Sequence, residues 1–233
     1  MNLKKYKYKT EMHAHSMPAS ACGDIPPEEV VRIYSELGYH SIVLSNHFHS
    51  QSRFYGDKEK MVRTYLLDYR TACEYGQKYG INVILGCEIR FTENINDYLL
   101  FGIDEDFLFD AYDYIEGGLK EFSDWFRDEK RTIIQAHPFR KGMEDTSPEL
   151  IDGIETFNVH PNHNSRVAVA AKYAKKNDFI VTCGTDYHHL GHHGLSAILT
   201  KKPVENSFEL SKVLKSRDYL FEVGGHIILP YGI

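Results

Sequence analysis

The sequence predicts an α/β barrel, and three observations carry that expectation. Short apolar runs alternate with stretches of helical periodicity along the chain, the pattern of parallel strands joined by crossover helices. About seven such units follow one another with no Gly-x-Gly-x-x-Gly after any strand, which favours a closed barrel over a dinucleotide-binding sheet. Residues able to ligate metal stand directly after the strand-like runs, and an α/β barrel gathers those strand ends at one mouth.

Each element has its own warrant. Residues 6–10 alternate aromatic and polar side chains with period two, as on a half-buried strand, and lead into Glu11-Met12-His13-Ala14-His15. Residues i and i+2 of a strand share a face, so His13 and His15 can reach one ion without a bend in the backbone. Residues 16–23 are a loop of small residues, with Asp24 just before Pro26-Pro27-Glu28-Glu29. Those residues suit a helix N-terminus, and Val30, Ile33, Tyr34 and Leu37 form its apolar stripe up to Gly38. The apolar run 41–45 is a buried strand, followed at once by Asn46-His47.

The unit then repeats. Residues 57–79 carry Met61, Tyr65, Leu66, Tyr69 and Cys73 at helical spacing and stop at Gly80; 82–85 is strand-like and is followed by Gly86-Cys87-Glu88. Residues 98–101 are a further strand, with helical segments at 106–112 and 115–128, the second burying Leu119, Phe122 and Trp125 or Phe126. Strand 132–135 precedes Ala136-His137-Pro138. Residues 153–157 form a strand, 165–176 an alanine-rich helix with Asn177 as its stop, and 179–183 the strand before Gly184-Thr185-Asp186-Tyr187-His188. A strand at 196–199, a helix at 207–216 and a strand at 219–223 complete the series. No linker divides it, so a single domain over residues 1–233 is expected.

Composition narrows the function classes. The 233 residues are 42% hydrophobic, enough to bury a substantial core. No apolar run reaches the roughly 18 residues of a membrane span, and Met1-Asn2-Leu3-Lys4-Lys5 leads into no apolar signal region, so a cytoplasmic location away from membranes is expected. Cys22, Cys73, Cys87 and Cys183 lack Cys-x-x-Cys spacing, which argues against a disulfide framework or zinc knuckle and for buried free thiols. The net charge of −6, with Lys and Arg scattered, shows no basic stripe for duplex nucleic acid. A small anionic substrate held by metal ions is compatible with that charge, because the ions set the local field. The unusual count is thirteen histidines.

His15, His47, Glu88, His137 and Asp186 all fall at or just beyond predicted strand ends. Imidazoles mixed with carboxylates suit zinc, manganese or iron, whereas calcium prefers oxygens and structural zinc prefers thiolates. A carboxylate can also bridge neighbouring ions, so more than one metal is expected.

In this order and spacing, His13-x-His15, Asp24, Asn46-His47, the Gly-x-Glu at Glu88, the Ala-His-Pro at His137 and the Gly-Thr-Asp-x-His at Asp186 and His188 resemble the PHP (polymerase and histidinol phosphatase) superfamily. The resemblance runs from about Glu11 through His188. It implies a distorted (β/α)7, TIM-like barrel holding two or three divalent ions (Zn, Mn or Fe). By that resemblance His13, His15, Glu88 and Asp186 hold the first ion; Glu88 bridges to the second, which His137 also binds; and Asp24, His47 and His188 hold the third. One departure stands out. Many relatives place a further histidine between Glu88 and His137, where this chain has none, and Asp97 is either its replacement or a turn residue.

Close divalent ions can activate a bridging water as hydroxide and stabilise the charge of phosphoryl transfer, so the expected activity is that of a phosphomonoesterase, histidinol-phosphatase-like or acting on nucleotides. Glu88, Asp186 and Arg140 are the expected catalytic residues. Asp186 or His188 is placed to manage a proton, and the Arg140 guanidinium suits a bidentate phosphate contact. Arg90 and Arg166 are further candidates for anion contact, with surface arginines as the alternative reading; Asn158, His160 and His163 are candidates to line the pocket. His49 and His189 adjoin stronger candidates, His192-His193 lie in a Gly-flanked loop, His40 faces solvent at a turn, and His226 has no identified partner. The substrate is expected to be a small phosphorylated molecule, its identity shaped by residues 49–60 and 141–148. Two rival readings stay open: an amidohydrolase-like C–N hydrolase, for which Glu88 stands where a metal-bridging lysine is wanted, and a non-catalytic metal-binding module. The sequence leaves the oligomeric state open.

Overall fold

The computed structural model describes residues 2–231; Met1, the first residue of the basic opening, lies outside them. In chain order the strands are β1 (Tyr8–Ala14), β2 (Ser41–Leu44), β3 (His47–Phe48), β4 (Asn82–Leu85), β5 (Cys87–Arg90), β6 (Asp97–Phe101), β7 (Thr132–Gln135), β8 (Gly153–Asn158), β9 (Ile180–Gly184), β10 (Ser196–Thr200), β11 (Leu220–Val223) and β12 (His226–Ile228). The α-helices are α1 (Pro27–Glu36), α2 (Lys58–Tyr79), α3 (Phe107–Tyr112), α4 (Gly118–Phe126), α5 (Val167–Asn177) and α6 (Ser207–Ser216). Local chemistry sets the ends of the longest helix: the Asp57 carboxylate accepts from Lys60 N at the start, and Gly80 takes φ 73° at the stop.

The expected closed barrel gives way to two mixed six-stranded sheets, ordered β12-β11-β10-β1-β2-β4 and β3-β5-β6-β7-β8-β9. The parallel pairs β1–β2, β2–β4, β7–β8 and β8–β9 follow the alternating pattern. The departures have a chain-length cause. Six residues, 91–96, join β5 to β6, far too few for the crossover of a dozen or more that a parallel pair requires, so these strands run antiparallel. β10 likewise pairs antiparallel with both β1 and β11.

The sheets meet where the ligand-type residues lie. β2 stops at Leu44 and the chain resumes as β3 at His47; β4 stops at Leu85 and resumes as β5 at Cys87. The bonds Ser45 N to Ala14 O (2.8 Å), Gly86 N to Leu44 O (3.1 Å) and Glu88 N to Asn46 O (3.1 Å) carry the ladder across both breaks. Gly86 is required there, because a Cβ would stand 2.4 Å from Val43 Cγ1. On the other flank, His15 N donates to Tyr187 O (3.0 Å) and Tyr187 N to His13 O (3.2 Å), tying the end of β1 to the segment after β9. Thr10 through Ala14 are buried throughout and Tyr8 and Lys9 are both half-buried, so the expected half-buried alternation is not seen in β1.

The larger core cluster packs Met12, Phe48, Ile84, Leu99, Ile133 and Ile154 with the aromatic residues of α3 and α4. A second cluster seats Val30 and Tyr34 of α1 against Ala14, Ile42 and Tyr187. Among the described residues no helix is long and apolar enough to cross a membrane.

Candidate metal centre

Glu88 lies at the centre of the convergence. Its Oε1 stands 3.3 Å from His13 Nε2 and 3.2 Å from His137 Nε2, and its Oε2 stands 3.5 Å from His15 Nε2 and 2.7 Å from His47 Nδ1. Asp186 Oδ1 is 3.5 Å from both His13 Nε2 and His15 Nε2. Four groups of donor atoms result, each within 4.8 Å of one another: His13, His15 and Glu88; His13, His137 and Asp186; His15, His47 and His188; and His47, Glu88 and Asp97.

The donor chemistry fits divalent cations. Both Glu88 oxygens and the Nε2 atoms of His13 and His15 are buried without a well-aligned hydrogen bond, and each such group costs about 1–3 kcal/mol unless a partner satisfies it. Their outer atoms, by contrast, are fixed. His13 Nδ1 faces Glu155 Oε1 at 3.1 Å, His15 Nδ1 faces Ser20 Oγ at 3.1 Å, and His188 Nδ1 meets the Asp186 carbonyl at 2.9 Å. Second contacts of this kind hold ligating imidazoles in one orientation with the other nitrogen free.

The electrostatics agree with a site built for positive charge. Burial raises the Glu88 carboxyl, but His13 and His47 outweigh it and hold it well below the usual range. Asp186 is likewise held low, burial being overcome chiefly by His13 and His15. Burial works against the charged form of His13, yet Glu88, Asp186 and Glu155 together raise it well above the ordinary value. His15 goes the other way, lowered by burial and by His188 and His47.

The expected ligands fare differently. His13, His15, His47, Glu88, His137, Asp186 and His188 come together. Asp24 does not: its side chain is two-thirds exposed and lies 3.2 Å from His189 Nδ1. The reason is that Asp24 presents its backbone to the site, N donating to His188 O (3.3 Å), before the chain turns out toward α1. Asp97 is no turn residue. It is fully buried at the start of β6, held by Arg90 (Nε to Oδ1 2.7 Å, Nη2 to Oδ2 2.9 Å), and its Oδ2 lies 3.9 Å from His137 Nε2.

Arg140 spans the mouth, Nη2 3.6 Å from Asp97 Oδ2 and Nη1 3.8 Å from Asp186 Oδ2. Asn158 Nδ2 reaches Glu155 Oε2 (3.0 Å) and Asp186 Oδ2 (3.3 Å). His160 stacks on His163 and stands edge-on to His188, whereas Arg166 is exposed at the start of α5. A cleft of about 350 Å³ opens beside His47, lined by Ala19, Cys22, His49, Gln51, Ser52 and Arg90. Burial, with His47 and Arg90 nearby, pushes His49 down to about 3, so it lines this cleft uncharged at neutral pH.

Three residues escaped the sequence reading. Glu155, fully buried on β8, contacts His13 and accepts from His137 N (3.0 Å); a carboxylate within an apolar strand is the signal that marks it. Glu11 accepts from the backbone of Met12, His13 and Thr185, binding β1 to the turn after β9. Cys22 is the third. Cys87 and Cys183 are buried free thiols as expected, but Cys73 is half-buried and Cys22 is exposed on the lining of the cleft beside His47. Burial raises the Cys22 thiol, and the influence of His188 and His47 outweighs burial and brings it to about 6.

The model of the PHP domain family matches residues 11–227. Among solved structures, the chain is similar to a two-domain Bacteroides vulgatus protein containing a PHP-like metal-dependent phosphoesterase assigned by prediction (TM-score 0.65, 17% identity, covering 94% of this chain and 66% of that one). It is also similar to a Bifidobacterium adolescentis protein assigned by inference as a metal-dependent phosphoesterase (TM-score 0.53, 13% identity, covering 88% and 95%). A third is an amidohydrolase from Chromobacterium violaceum with bound sulfate and no metal (TM-score 0.52, 14% identity, covering 78% and 88%). The chain thus spans just under two thirds of the first of these proteins, and at such identities the likeness is one of fold. No curated protein sequence matches.

Proposed function

The chain belongs to the PHP domain family, and from that premise we propose that it is a metal-dependent phosphoesterase that hydrolyses a phosphate monoester of a small molecule. The observation that carries the reading is the set of unpaired, buried donor atoms on His13, His15 and Glu88, with the Arg140 guanidinium facing the adjoining carboxylates. His13, His15, Glu88 and Asp186 are the residues to hold the first ion. Glu88 and His137, with Asp97, are those for a second, and His47 and His188 for a third. Bound there, zinc, manganese or iron supplies Lewis acidity for the phosphoryl oxygens and an activated water at neutral pH.

The protein's own side chains do the rest. Arg140 offers two N–H groups to non-bridging oxygens and is drawn toward the site by Asp97 and Asp186, so an incoming phosphate exchanges one anionic partner for another. Glu155 and Ser20 hold the His13 and His15 rings so that neither turns away as charge moves through the site. His188, bonded to the Asp186 carbonyl through Nδ1, keeps Nε2 toward the mouth, where it can take or give a proton when it is not ligating. The cleft beside His47, with Arg90 on its wall, is open to the organic part of the substrate. An amidohydrolase reading draws on the fold of the C. violaceum neighbour, but Glu88 stands where that chemistry wants a bridging lysine.

The test is phosphate release from a panel of monoesters by protein loaded with each metal. Glu88→Gln is expected to lower the rate by at least about 100-fold, more than loss of an outer contact gives. A variant as active as the parent removes the catalytic assignment.

A further inference from the structure

Strand β8 buries two polar residues, Glu155 and Asn158, that a regular strand would turn to opposite faces. They are separated by an odd number of positions, and the side chains of a strand alternate. The register supplies the reason they meet: Glu155 pairs with Thr182 of β9 but Phe157 with Cys183, so β8 holds an extra residue across this step. A bulge of this kind re-aims the side chains beyond it. The Thr156 hydroxyl donates to the Thr182 carbonyl (3.1 Å), and Asn158, opposite Gly184, joins Glu155 beside the metal ligands.

The Asn158 amide is held at both ends. Its Oδ1 accepts from His160 N (3.2 Å), which leaves the N–H groups of Nδ2 to meet Glu155 Oε2 at 3.0 Å and Asp186 Oδ2 at 3.3 Å. The flipped amide would set its oxygen against two carboxylates. The two oxygens of Asp186 are thereby made unlike. Oδ1 is 3.5 Å from both His13 Nε2 and His15 Nε2, close to the roughly 3.4 Å between two donors that sit about 2.05 Å from one tetrahedral zinc. Oδ2 turns to Asn158 and lies 3.8 Å from Arg140 Nη1 and 3.9 Å from His137 Nε2, on the side of the second ion's ligands. Asp186 also has φ 52°, a left-handed value that a residue other than glycine keeps only when its surroundings hold it there. Glu88 differs, since both its oxygens are buried without a well-aligned hydrogen bond.

Resting on the metal-centre reading above, we propose that Asn158 is a positioning residue whose amide reserves Asp186 Oδ2, so that Asp186 serves the first ion through Oδ1 and Glu88 is the carboxylate that bridges to the second. A second carboxylate bridge would take the space between the ions that an activated water needs. Arg140 leaves Oδ2 when it turns to a phosphate, and the Asn158 amide is the donor that stays.

The test is manganese(II) titration of the whole metal-free chain, with free and bound ion distinguished by electron paramagnetic resonance, beside phosphate release from the monoester the parent cleaves fastest. Asn158→Ala and Asn158→Leu are expected to bind the second ion at least about 10-fold more tightly than the parent, and to release phosphate at least about 10-fold more slowly, within the range of outer contacts to metal ligands. Loss of a merely structural contact would weaken both. Second-ion affinity that is unchanged or weaker in the folded variants overturns the proposal and leaves the metal centre standing. Failure of both variants to fold overturns it too, because the amide then serves the fold. No manganese uptake by the parent overturns the proposal and the metal centre together.

Discussion

Glu155 and Glu11 show how single buried carboxylates set the site without touching substrate. Glu155 orients His13 through Oε1 and receives His137 N and Asn158 Nδ2 through Oε2. Glu155→Gln keeps the volume but weakens the contact to His13, so metal affinity is expected to fall about 10- to 100-fold in a metal titration, and an unchanged affinity contradicts the role. Glu11 is pushed by burial, against its hydrogen bonds, from 4.5 to about 7. The folded state then keeps a proton that the unfolded state has released, so this contribution is fully present below about 4.5 and is lost as the pH rises through about 7. The expected size is on the order of 3 kcal/mol. Denaturation of metal-free parent and Glu11→Gln across that range reads it as a stability difference that moves against the parent as pH rises; a constant difference rules it out.

At the scale of elements, the site depends on how closely β1, β8 and β9 approach. A Cβ on Gly184 would stand 2.5 Å from both Glu155 Oε1 and His13 Cβ, atoms that the ligand set cannot spare. Gly184→Ala is expected to cost about 1–3 kcal/mol and to weaken metal binding, measured by thermal unfolding and titration together. Retention of both puts the close approach in error. The same strands explain what the sequence disclosed. Period and punctuation placed most elements and the candidate ligands His47, Glu88, His137 and Asp186, because those features are local. The antiparallel β5–β6 pair was legible only as a short link; β3 and β12 were missed because two or three residues show no period, and β5 because one residue separates it from β4, so the two read as one strand and its end. Asp24 was misplaced for a related reason: composition marks a loop but not which side chain it turns inward.

For the molecule as a whole, two mixed sheets meeting at the ends of their strands do the work expected of a closed barrel. The breaks at Ser45-Asn46 and Gly86 let one ladder pass into the other, and Tyr187 ties the opposite flank to β1. Carboxylates from β5 and from the segment after β9 are thereby buried among imidazoles from β1, from β3 and from the segments after β1 and β7, with both Glu88 oxygens unpaired. Such an arrangement is stabilised when a cation binds only the folded form, so chelation is expected to lower the melting temperature. The most direct measurement is elemental analysis of the purified protein beside Glu88→Gln. More than one equivalent of divalent metal in the parent, falling by at least one in the variant, is the predicted result; less than one equivalent in the parent, or an unchanged content in Glu88→Gln, contradicts the metal centre.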